Sequence, residues 1–149
     1  MYGSGVNGVS LYAHVSVWGW VLAGLSVLVV GMIWYSPFLF GKAWTKAMGI
    51  SEKEMAKGRA KVMPILIIVS LLTAYVLSLF TVYLHSYVGG SWMMAALDAA
   101  VLAWVGFAGT AVVAHGVWDP RPKSALYINL GNRLATLVVM GLIIGAFLK

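Results

Sequence analysis

Arg133 is the residue of this chain whose position most demands an explanation. It is the one charge in the otherwise apolar stretch 125–148. Asn129, Asn132, Arg133 and Thr136 follow the i, i+3, i+4, i+7 spacing that gathers side chains on one face of a helix. A stripe of amides and a guanidinium does not sit comfortably against lipid, so it is expected to face protein, water or a ligand. The guanidinium stays charged and offers five donors, and its natural guest is a carboxylate, a phosphate or another anion. The bland alternative is a structural Arg that reaches the headgroups or bonds the carbonyls of neighbouring helices.

A second group of candidates lies toward the other side of the same bilayer. Asp98 falls about six residues into an apolar stretch, ~9 Å along a helix at 1.5 Å per residue. His14 and His85 are expected at a similar depth. Two imidazoles and a carboxylate could hold a divalent metal or relay protons if their helices are neighbours. The plainer expectation is solvated interfacial histidines and an Asp98 bonded to a nearby Ser or Tyr. Side chains lean toward the N-terminus of their helix, so Asp98 and Arg133, on antiparallel helices, lean apart across an axial gap on the order of 10 Å. Two separate polar sites are expected, not an ion pair. Ser70, Ala74, Ser78, Thr81 and His85 form a further polar or small stripe that climbs one helix face. His115 lies too close to bulk water to single out.

The elements that must position these residues are written in the charge pattern. The 149 residues are 62% hydrophobic and only 9% charged, where soluble domains have roughly a quarter. Four apolar stretches, 15–36, 62–85, 93–117 and 125–148, each reach the ~20 residues a helix needs to cross a bilayer. The chain is therefore expected to be an all-α membrane protein, a single transmembrane domain 1–149 built as a four-helix bundle. The first span is long and lacks a positive leader, so a retained spanning helix is expected rather than a cleaved signal.

Between the spans the basic residues fall on two loops. Lys42, Lys46, Lys53, Lys57, Arg59 and Lys61 lie on the first, and Arg121 and Lys123 on the third. Basic loops stay on the cytoplasmic side, which places both termini outside and these loops in the cytoplasm, most naturally of a prokaryotic plasma membrane. The net charge of +6 is this topology signal and not a nucleic-acid surface. Trp18, Trp20 and Trp92 suit the outer interface, and Trp34, Trp44 and Trp118 the inner one; Trp104 falls mid-span.

The first loop has structure of its own. Ser51 and Glu54 fit a capping box, which predicts a short interfacial helix from about Glu52 that can run into the second span, with Pro64 as the place for a kink. The preceding stretch 38–44 has the apolar, aromatic and basic mix of an interfacial connector. Gly141 and Gly145 form a GxxxG, suited to intramolecular packing or a dimer seam. Ala95, Ala96, Ala99, Ala103, Gly106 and Gly109 make the third span the one expected to be most enclosed. The absence of Cys excludes disulfides, thiolate metal sites and cysteine nucleophiles. No nucleotide, hydrolase or zincin fingerprint is present, and no cofactor is expected.

The segment Gly31-Met32-Ile33-Trp34-Tyr35-Ser36-Pro37, followed by Phe40-Gly41-Lys42-Ala43-Trp44 and Met48-Gly49-Ile50-Ser51, resembles the domain of unknown function 1761 family of small microbial membrane proteins. Trp104-Val105-Gly106-Phe107, Arg121-Pro122 and Ile128-Asn129-Leu130-Gly131 are similar to it as well. The resemblance implies a four-helix membrane domain and no activity. From the residues themselves the expected function is binding or conduction of a small anionic solute by a homo-oligomer in the lipid bilayer. Arg133, Asn132, Asn129 and Thr136 would serve within, and Asp98 and His85 at the outer side. The rival expectation is an accessory or scaffold subunit that transports nothing; a membrane enzyme comes third.

Overall fold

The computed structural model describes residues 15–148, and within them every regular element is helical. Helix α1 (Val17–Trp34) starts at Ser16, whose hydroxyl accepts the Gly19 N–H. It ends where Pro37 forbids continuation, and the chain turns tightly: the Phe40 N–H donates to the Trp34 carbonyl at 3.1 Å and the Gly41 N–H to the Ser36 carbonyl at 2.9 Å. A Cβ on Gly41 would run into the Tyr35 and Ser36 carbonyls, so this corner requires glycine. The short helix α2 (Gly41–Met48) follows and stops at Gly49 in the left-handed region, φ 68°.

Helix α3 (Glu52–Val88) opens on the capping box: Ser51 Oγ accepts the Glu54 N–H at 3.2 Å, and the Glu54 carboxylate accepts the Ser51 N–H at 2.8 Å. The short helix between the first two spans is thus α2, in the stretch expected to be only a connector. The box starts the spanning helix itself, because nothing between Ser51 and Pro64 supplies a stop. At 37 residues α3 is longer than a bilayer core requires, and its charged residues are confined to its first turns. Replacing Ser51 by Ala is expected to cost about 1 kcal/mol, read as a small fall in Tm with the fold unchanged.

Gly89 and Gly90, with φ 74° and 85°, turn the chain into α4 (Trp92–Trp118), capped by Ser91. This helix is interrupted by a π-helical turn, Trp104–Ala108. Helix α5 (Lys123–Phe147) begins behind Pro122 and touches each of the others. Around the bundle the order is α1, α3, α4, α5, closing from α5 to α1. The most enclosed helix is therefore α5, not the third span. The small residues of α4 divide mostly by depth: Ala95, Ala96, Ala99 and Ala100 are buried, whereas beyond the start of the π turn Gly106, Thr110 and Ala114 are exposed and Gly109 is buried against Trp104.

Small residues line the inside and large apolar ones the outside, the arrangement of a protein solvated by lipid. Ala74, Ser78, Thr81, Ala96, Ala99 and Ala100 are buried, while Ile65, Ile68, Leu72, Val76 and Phe80 face outward. Gly141 and Gly145 pack within the monomer against Met93, Ala96 and Ala100 of α4. The hydroxyl stripe of α3 serves the same packing: Ser70, Ser78 and Thr81 donate to carbonyls of their own helix at 2.8–3.0 Å. Among the described residues four helices are long and apolar enough to cross a membrane. The chain is an integral, multi-pass membrane protein.

Candidate functional site

One turn of α5, Ile128–Gly131, collects donors from three other elements. Trp34 Nε1 at the end of α1 donates to the Ile128 carbonyl at 3.1 Å. Trp104 Nε1 in the π turn donates to the Leu130 carbonyl at 3.2 Å. Asn129 Oδ1 accepts both the Tyr35 hydroxyl at 3.0 Å and Trp44 Nε1 of α2 at 2.9 Å. The rings brace one another, Tyr35 against Trp44 with centroids 5.3 Å apart and Trp34 against Phe40 at 4.7 Å. Gly131 completes the seat, since a Cβ there would lie 2.9 Å from the Trp34 ring. The aromatic block between α1 and α2 is a clamp that fixes α5 in rotation and height.

The π turn shapes what lies beside the clamp. The Gly109 N–H reaches back five residues to the Trp104 carbonyl, and a Cβ on Gly109 would meet that oxygen at 2.8 Å. Such a turn redirects a helix. Before it, Trp92–Ala103 packs on both α3 and α5; after it, Gly109–Trp118 keeps α5 and has no comparable contact with α3. The space so opened is a cavity of about 810 Å³ between the α2-side halves of α1, α3, α4 and α5, within the size range of small-molecule sites.

Arg133 and Asn132 line this cavity with Asn129 and Thr136, so the stripe expected on one helix face does share one space. Among the described residues Arg133 has no hydrogen bond and no acidic partner, and Asn132 Nδ2 is buried without an acceptor. Arg59, His115, Arg121 and Lys123 add basic groups, and among the described residues Asp119 is the one carboxylate in the lining. Asp119 is already engaged: its carboxylate accepts from Arg121 Nε and Nη2 at 2.6–2.9 Å. Lys123 Nζ caps the end of α4 through the Gly116 carbonyl at 3.0 Å. The lining as a whole favours a negatively charged guest.

The Arg121 guanidinium holds the Asp119 carboxyl down from 3.8 to about 2. A depressed acid stabilises the fold above its ordinary pKa and loses that contribution as pH falls through the lowered one. The Asp119–Arg121 contact is therefore expected to persist at neutral pH and to open only as pH falls through about 2. The side-chain carboxyl carbon of Asp119, followed by NMR through an acid titration, checks this.

The outer candidates fall elsewhere. His85 stacks on Trp92, with ring centroids 3.6 Å apart and 7° between planes, and its Nε2 lies 3.2 Å from the Gly90 carbonyl, fastening the α3–α4 hairpin. Asp98 is exposed on the outer surface of α4 and does not line the cavity; it forms no ion pair with Arg133. Among the described residues no three His, Cys, Asp or Glu gather as metal ligands. His14 lies outside the described residues. Residues that periodicity does not find are Tyr35, Trp34, Trp44 and Trp104 of the clamp, and Arg59 and His115 of the lining; for the first three the aromatic signature block is the visible trace.

The fold and its clamp define a class: a four-helix integral membrane protein with a partly open cavity between its helices, mostly apolar but carrying basic and amide side chains. The family model described as Protein of unknown function (DUF1761) matches residues 18–145, and the chain belongs to that family. No curated protein and no solved structure matches it.

Proposed function

We propose that this protein binds a small anionic solute in the cavity beside Arg133. The observation that carries this is an unpaired guanidinium and an unpartnered amide N–H group on one wall of a cavity whose carboxylate is held by another arginine. The Asn132 amide nitrogen is buried, and leaving it unmatched is costly; an anion drawn by the exposed Arg133 guanidinium would match it and the charge at once. The basic loops argue that the cavity opens to the cytoplasm, with both termini outside, in a prokaryotic plasma membrane. Conduction through the monomer would have to part the seam of Gly141 against Ala96, which argues for binding over an open pore. Asp98, exposed on an apolar helix face, argues for a homo-oligomer that covers it.

The test is titration of the purified protein with anions from phosphate and acetate to octanoate, wild type against Arg133→Gln. At least one anion is expected to bind the wild type, with affinity falling about tenfold or more in the variant, the worth of one charge-assisted hydrogen bond. Tm should stay near that of the wild type. The scaffold reading is favoured by the clamp, which needs only packing to account for it. On that reading Arg133→Gln lowers Tm and no anion binds.

A further inference from the structure

We infer that the occupant of this cavity is an anionic amphiphile, a single acyl chain ending in a carboxylate or phosphate, drawn from the membrane leaflet on the α2 side. This rests on the anion-binding reading and deepens it. The cavity is divided along its length. Arg59, Arg121 and Lys123 stand at the α2 end, with Arg133 and Asn132 one level further in. Beyond Arg133 the wall is mainly apolar, with Leu137 and Met140 on α5, Val69 on α3, Val112 on α4 and Val27 on α1; Thr136, Ser70 and Thr73 also line it, the last two with their hydroxyls already given to carbonyls of α3. Met140 is seven residues past Arg133, ~10 Å deeper along the helix, and the Arg133 side chain leans back toward the basic end. A hydrophilic anion would satisfy the guanidinium and leave that apolar depth unfilled. An alkyl chain would fill it and gain favourable burial with each methylene added.

The way in has the same character. Since α4 leaves α3 after the π turn, the cavity wall is interrupted between these two helices, on a side bordered by the outward-facing Ile65, Leu66 and Val69 of α3 and Val113 of α4. A ligand already dissolved in the leaflet meets this gap chain-first, without crossing water.

The experiment uses the full chain in nanodiscs of zwitterionic phosphatidylcholine, with empty nanodiscs subtracted. Radiolabelled decanoate is expected to bind saturably, and decyl phosphate to compete; which of the two is tighter identifies a fatty acid or a phosphate head, and either supports the inference. Arg133→Gln should weaken decanoate by about tenfold or more. Val112→Trp, which fills the chain slot without touching the charge, should do the same, with both variants keeping the wild-type Tm. Decanol and acetate should each be at least about tenfold weaker competitors than decanoate, since each lacks one half of the recognised chemistry. Acetate or inorganic phosphate competing as well as decanoate would overturn the amphiphile and leave the anion site standing. Decanol matching decanoate, with no effect of Arg133→Gln, would overturn both, as would no saturable binding by any probe.

Discussion

Replacing Gly141 by Leu is expected to abolish the folded bundle, seen as loss of a monodisperse species and of any cooperative thermal transition. A Cβ at this position would lie 2.8 Å from the Ala96 carbonyl oxygen and 3.2 Å from the Ala100 Cβ. The nearest obstacle is helix backbone, which no rotamer change can move aside. Overpacking in cores that can relax costs about 1–3 kcal/mol. Here the relaxation is separation of Trp92–Ala103 from α5, which would strip cover from Met140 and Ile144, each 1% exposed. Gly58→Leu is the matched control: on the exposed first turns of α3, a Cβ added at Gly58 would meet nothing within 4 Å. It should be tolerated, with a Tm at or above that of the wild type because Leu is the better helix former. A Gly141→Leu protein as stable as this control would mean that α4 and α5 do not meet along this seam.

The four spans are legible in the sequence because length and apolarity alone mark them, and a bilayer accepts few alternatives. Their ends lie a few residues away from the hydropathy limits where caps decide: Ser16 and Ser91 each place a hydroxyl on the first free N–H groups. The π turn is not legible. Nothing in Trp104-Val105-Gly106-Phe107-Ala108 breaks a helix locally; the turn goes with Trp104 reaching Leu130 on α5, a contact 26 residues away in sequence. The third span reads as more enclosed than it is for a related reason. Small residues mark a close approach only at the depth where a neighbouring helix is present, and beyond the start of the π turn Gly106, Thr110 and Ala114 are exposed.

In the candidate site, spacing finds Asn129, Asn132, Arg133 and Thr136 because they share one helix, where the 3.6-residue period is informative. It does not find what binds Asn129, since Tyr35 and Trp44 lie 94 and 85 residues away in sequence. It also groups His85 with Asp98 by depth alone. Rotation about the helix axes decides such a meeting, and here it turns His85 onto Trp92 and Asp98 outward. The basic loops, which in the sequence carry only a topology signal, supply Arg59, Arg121 and Lys123 to the cavity lining.

Asn129→Leu is the second substitution expected to have a large effect, and its size can be divided. The change keeps the side chain's bulk but removes the acceptor shared by the Tyr35 hydroxyl and Trp44 Nε1. An orphaned donor away from water costs about 1–3 kcal/mol; with both sites part-buried, a total of roughly 2–4 kcal/mol is expected from the same range. If the two bonds are the cause, the losses must not add. Tyr35→Phe alone should cost about 1 kcal/mol, the worth of one hydrogen bond. Combined with Asn129→Leu it should cost almost nothing more, because that hydroxyl is already unpaired. Trp44→Phe should behave likewise. Additive losses would mean that Asn129 acts through its shape. Because Arg133 sits one turn beyond Asn129, loosening the clamp through Trp44→Phe, at a residue outside the cavity lining, should also weaken anion binding even though Arg133 is intact. That is the result expected of a positioning residue, and it separates the clamp from the cavity lining it holds in place.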